Sequence, residues 1–145
     1  MEKFNIDYIE QPLPADNLED LAELTYHTEI PIAVDESLTD FQSSEKIIDK
    51  QAAHVFVIKP MVSGGFTECK KIITLAQAEN IRTVITSSIE TAIGRTACLH
   101  LAAAIEITEA CGLATGAFLN EDKATPTIAN GKIQLPDIPG VGLGL

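Results

Sequence analysis

The chain has 145 residues, 46% of them hydrophobic, with 21 acidic against 10 basic side chains and a formal net charge of −11. One domain's worth of chain with that apolar content can bury a core, which excludes disorder. The acidity speaks against nucleic acid and anionic membranes as partners, since both need basic patches, and the longest apolar runs, such as residues 99–105, are far too short to span a bilayer.

The first strand is expected over residues 5–10, ending at Gln11-Pro12-Leu13-Pro14, where prolines break regular structure. Asp16 or Asn17 can cap a helix over residues 18–27, with Leu18, Leu21, Ala22 and Thr25 on one face. Pro31 opens a short apolar run, Ile32-Ala33-Val34, which stops at Asp35. Ser43 or Ser44 caps a short helix through Ile47 and Ile48. A strand follows over residues 54–58 and ends at Lys59-Pro60. Gly64-Gly65 makes a tight turn, since no phosphate-loop signature surrounds it. A helix is expected over residues 66–79, a strand over 82–87 and a long helix over 94–110, with Gly112 as its C-terminal cap. A fifth short strand covers residues 113–116. Residues 127–135 read as a hairpin around Asn130-Gly131, followed by a Pro- and Gly-rich end.

Strand and helix alternate every 25 to 30 residues, and the strands are short and almost wholly apolar. That pattern belongs to parallel strands covered on both faces. The fold expected is α/β: part of a (β/α) TIM-type barrel with about five parallel strands, four helices and a C-terminal hairpin tail. The barrel portion covers residues 1–120, and the hairpin and tail cover 121–145.

Polar residues stand at the C-terminal ends of successive strands: Glu10, Asp35, Lys59, then Ser87 and Ser88. Asp35 follows Glu10 by 25 positions and Lys59 follows Asp35 by 24. In a parallel barrel these ends gather at one rim, where active sites lie. Charged residues also end strands because the chain returns to water, but three in step with the period outweigh that reading. Two carboxylates at such a rim make a hard oxygen site suited to Mg²⁺. A lysine beside them can act on a carbon acid or stabilise the anion formed.

Tyr8-Ile9-Glu10-Gln11-Pro12, Pro31-Ile32-Ala33-Val34-Asp35-Glu36-Ser37 and Val57-Ile58-Lys59-Pro60 resemble consecutive barrel strands of the enolase superfamily, muconate-cycloisomerase subgroup. The resemblance implies that Glu10 and Asp35 are Mg²⁺ ligands and that Lys59 is a catalytic acid/base or electrostatic residue. Within the subgroup, Lys59-Pro60 followed by Gly64-Gly65-Phe66, and the run from Ile85 to Gly94, look most like o-succinylbenzoate synthases. Those enzymes eliminate water from a cyclohexadiene carboxylate, through an enediolate intermediate, on the menaquinone pathway. Dipeptide epimerases of the subgroup carry an aspartate on the last strand where this chain has Thr115-Gly116. The segment Leu135-Pro136-Asp137-Ile138-Pro139-Gly140 looks more like cycloisomerase and epimerase members, so a muconate cycloisomerase or an N-acylamino acid or dipeptide racemase-epimerase of the same subgroup is an alternative.

Ser87 and Ser88 are candidates for holding the carboxylate of a small-molecule substrate, and the resemblance implies that the backbone at Gly116 helps to hold it. Capping or plain turn geometry is an equal alternative at each. Glu36 and Glu90 could support the site or simply be solvated. His27, at a helix end, His54, at the wrong end of a strand, and His100, within a helix, are expected to be structural.

The start of the chain lacks the apolar core of a signal peptide. The three cysteines, Cys69, Cys98 and Cys111, are odd in number and contain no CxxC pair, which predicts reduced, buried thiols. Together these features point to a cytoplasmic protein.

The resemblance also marks what this sequence lacks: the family's Lys-x-Lys motif and its first metal-binding aspartate. It therefore implies a piece of a larger enzyme, completed by an N-terminal half or by self-association, and inactive by itself. A non-catalytic barrel fragment or partner subunit is the third alternative.

Overall fold

The computed structural model describes residues 2–119 and 127–142. Four strands, β1 (Ile9–Glu10), β2 (Ile32–Val34), β3 (Val55–Ile58) and β4 (Arg82–Ile85), form one parallel sheet in the order β1-β2-β3-β4. Four helices alternate with them: α1 (Leu18–His27), α2 (Phe41–Asp49), α3 (Phe66–Ala78) and α4 (Ala92–Ala104). A two-stranded antiparallel hairpin, β5 (Ile128–Ala129) and β6 (Lys132–Ile133), turns at Asn130-Gly131 as expected, with positive φ at both turn residues. The proposed boundary near residue 120 lies outside the described residues.

The strand residues divide by pleat parity. Ile32, Val34, Phe56, Ile58 and Ile85 face the helices and pack with Leu21, Ile47, Ile72 and Leu101. Ala33, Val55, Val57 and Val84 form a second, smaller cluster on the opposite face, with Tyr8 against it. Both faces are covered, which is why the strands read as unbroken apolar runs rather than alternating ones.

Three expected element ranges need correction. The first strand is only two residues long: it bonds to β2 through Ile9 N–H to Pro31 O and Gln11 N–H to Ala33 O, while Asn5, at φ 51°, breaks the extension before it. The fifth strand shrinks to a single parallel bridge between Thr86 and Gly112. Past Gly112 the Leu113 N–H bonds locally to Cys111 O, and residues Thr115–Phe118 coil into a 3₁₀ turn. Helix α4 runs Ala92–Ala104 rather than over 94–110, and Gly112 does not cap it.

The helix ends explain that last difference. At the end of α4, Glu106 N–H bonds to Ala103 O and Ile107 N–H to Ala102 O, with Glu106 left-handed at φ 53°. This is a Schellman closure. The same pair of bonds ends α2 at Gln51 and α3 at Asn80. At the other end, Asn17 caps α1, as one of its two candidates. Helix α2 is capped by Asp40, not by Ser43 or Ser44: Asp40 accepts from Ser43 N–H, and the Ser43 hydroxyl accepts in return from Asp40 N–H.

Candidate active site

Glu10 ends β1, Asp35 follows β2 and Lys59 follows β3, all at the C-terminal end of the sheet. Glu10 pairs in register with Ala33, and Ala33 with Val55. By alternation Glu10, Asp35 and Lys59 therefore share the face of the Ala33, Val55 and Val57 cluster, and top it with charge. Asp35 is buried, and Lys59 Nζ donates to its Oδ2 at 2.5 Å. Burial first, and then the Asp35 carboxylate, push the Glu10 carboxyl above the ordinary glutamate range, while Lys59 pulls it down. Glu10 thus feels both of its neighbours across the rim.

The donor set suits a hard divalent cation, because two carboxylates within electrostatic reach of each other are stabilised by positive charge between them. It is a partial set: among the described residues no three His, Cys, Asp or Glu side chains converge on one point. Glu36 is exposed and reaches Glu10 only as a distant like charge.

Gln11 was not singled out by the sequence reading. It sits at φ 39° directly after Glu10. Its side-chain oxygen accepts from Asp35 N–H at 2.9 Å and Ser37 N–H at 3.2 Å, and its Nε2 donates to Leu13 O and Ser37 Oγ, both at 2.9 Å. The only signal available was its place between Glu10 and Pro12.

Ser87 and Ser88 part company. Ser87 has the parity of Ile85, towards the helices, and is buried. Its hydroxyl lies 2.8 Å from Thr115 Oγ1 and 3.3 Å from Gly112 O. Ser88 is half-buried, and its backbone is held at both ends: Glu90 Oε1 accepts from its N–H at 2.8 Å, and Thr115 Oγ1 donates to its C=O at 2.9 Å. Its hydroxyl has no partner among the described residues. Gly116 is small for a packing reason: a Cβ there would lie 2.1 Å from Cζ of the buried Arg95, whose guanidinium also donates to Glu90 O.

The three histidines lie away from this face. His54 Nδ1 accepts from Ile32 N–H before β3, His27 ends α1, and His100 sits within α4. No helix among the described residues is long and apolar enough to cross a membrane.

The family model described as Enolase C-terminal domain-like matches residues 1–145. The chain is 33% identical over its whole length to an N-succinylamino acid racemase of Thermus thermophilus, of which it spans 40%. It is 35% identical over 123 residues, 84% of the chain, to an o-succinylbenzoate synthase of Thermobifida fusca, spanning 37% of that protein. Among solved structures, the L-Ala-D/L-Glu epimerase from Bacillus subtilis superposes with a TM-score of 0.91 at 31% identity, over 99% of this chain and 41% of that one. The chain spans well under half the length of each of these three.

Proposed function

The chain belongs to the enolase C-terminal domain-like family, and on that premise we propose that it supplies part of the active site of a Mg²⁺-dependent enzyme acting on a small carboxylate. The reaction favoured is dehydration of the o-succinylbenzoate synthase type, on the menaquinone pathway. One observation carries this reading: Glu10, Asp35 and Lys59 stand on one face of the sheet at its C-terminal end, with Lys59 bonded to Asp35.

Glu10 and Asp35 would hold the metal. When bound, such an ion stabilises the negative charge that develops on a substrate carboxylate as the neighbouring carbon loses its proton. Lys59 Nζ lies beside the carboxylates and is three-quarters shielded from water. That position suits proton transfer at the reacting carbon, or neutralisation of the anion formed there. The free hydroxyl of Ser88 and the backbone near Gly116 are the groups proposed to hold the substrate's carboxylate.

The test is calorimetric titration of the chain with Mg²⁺, alongside Glu10→Ala and Asp35→Ala. Saturable binding lost in both variants is expected, and it should be weak because the carboxylate set is partial. Binding that survives both substitutions overturns the site. The sequence lacks a Lys-x-Lys motif, so the 145-residue chain is not expected to turn over by itself. Robust turnover by it would refute that expectation.

A second reading rests on the match to the Thermus racemase along the whole chain. The same residues would then exchange the α-proton of an N-succinylamino acid. Solvent deuterium appearing at that carbon, with no dehydration of the cyclohexadiene substrate, selects this reading.

A further inference from the structure

The geometry points to Gln11 as a positioning residue that sets Asp35 against Glu10; its consequence for metal binding rests on the reading above. All four hydrogen-bonding positions of the side-chain amide are used. The oxygen accepts from the backbone N–H groups of Asp35 and Ser37, and the nitrogen donates to Leu13 O and Ser37 Oγ. Ser37 Oγ passes the connection on to Ala15 O at 2.9 Å. One side chain thus ties the loop after β1 to the loop after β2.

Asp35 is held at both ends of its backbone. Its N–H is bound by Gln11 and its C=O by Leu38 N–H at 2.9 Å. The residue immediately before Gln11 is Glu10, so the two candidate metal carboxylates are fixed to each other through a single amide. The left-handed φ of 39° at Gln11 is unfavourable for a side chain with a Cβ. A strained backbone persists where the surroundings over-determine it, and the four bonds of this amide do so. Neither β1 nor β2 can supply this restraint alone, because their ladder ends with the Gln11 N–H to Ala33 O bond.

The experiment compares the whole chain with Gln11→Met, which keeps the length and removes every bond, and Gln11→Glu, which keeps the acceptor and removes both donors. Two readouts are taken: amide hydrogen exchange at Asp35 and Ser37 by NMR, and Mg²⁺ titration. In Gln11→Met the Asp35 and Ser37 amides are expected to exchange at least about 100-fold faster, with the β3 amides unchanged, and Mg²⁺ affinity to fall about 10-fold or more. Gln11→Glu should retain protection at Asp35, because its oxygen still accepts there. Unchanged exchange at Asp35 in Gln11→Met, or acceleration by the same factor throughout β3, overturns the proposal. So does Mg²⁺ affinity within about 2-fold of the parent chain. If the parent chain binds no Mg²⁺, the metal site falls, and the exchange readout alone decides whether Gln11 positions Asp35.

Discussion

The Lys59 ammonium lies 2.5 Å from Asp35 Oδ2, and the Asp35 side chain is only 9% exposed. The pair is therefore poorly screened by water. Lys59→Met leaves a buried carboxylate without its cation and is expected to lower stability by about 2 kcal/mol. Asp35→Asn should cost about half of that, since an amide oxygen still accepts from Lys59. Urea unfolding of the three proteins checks the order, and a loss below about 0.5 kcal/mol for Lys59→Met would mean that water screens the pair after all.

Folding raises the proton affinity of Glu10 through burial and the Asp35 carboxylate. The stability this supplies is complete below the unfolded pKa and is lost as pH rises through the folded one. Glu10 is exposed, so water screens most of this effect. Glu10→Gln is therefore expected to raise the melting temperature at pH 7 only slightly, the gain in stability staying below about 0.5 kcal/mol. The gain should vanish at pH 3, where both forms are neutral. A lower melting temperature at pH 7 would contradict the electrostatics described for this rim.

Two thiols report on the core. Burial pushes Cys98 up to about 12 and Cys69 up to about 11. The folded chain thus keeps both protons well above pH 9, by which point unfolded thiols are about half ionised. Stability from these groups is complete below that point and falls as pH rises towards 11 and 12, by about 1.4 kcal/mol per pH unit for each thiol. Urea titrations from pH 8 to 10.5 measure the slope. Cys69→Ala and Cys98→Ala should flatten it, and at pH 8 neither thiol should react with a disulfide reagent before unfolding.

The two serines separate structure from binding. Ser87→Ala removes a buried hydroxyl next to Thr115 and is expected to cost about 1 kcal/mol. Ser88→Ala removes a hydroxyl without a partner among the described residues, so its stability should stay within about 0.5 kcal/mol. If Ser88→Ala is the more destabilising of the two, its hydroxyl has a structural role and is a poor candidate for a substrate contact.

Much of this site was legible because a βα unit has a nearly fixed length. Glu10, Asp35 and Lys59 could be placed on one rim from spacing alone, and their shared face followed from the pleat. Ser87 was not separable from Ser88 in that way, since its orientation depends on where β4 ends. Gln11 was invisible because its role comes from a left-handed backbone and from contacts 24 and 26 positions away. The apolar run after Gly112 resembles the other strands, but only Gly112 pairs with the strand beside it, at Thr86, and the chain coils instead. The end of α4 was misplaced because the closure uses Glu106 where a glycine would have marked it.

Those closures divide the molecule's two ends by purpose. Gln51, Asn80 and Glu106 all lie where helices return to the N-terminal side of the sheet, away from Glu10, Asp35 and Lys59. Each holds a left-handed turn that glycine adopts without steric penalty, and replacing Gln51 or Glu106 by glycine should gain up to about 1 kcal/mol. The fold thus leaves an untapped reserve of robustness at the end opposite the rim. An engineer could harden the scaffold there and afterwards reshape the rim to accept destabilising changes, because substitutions at well-separated sites add their effects.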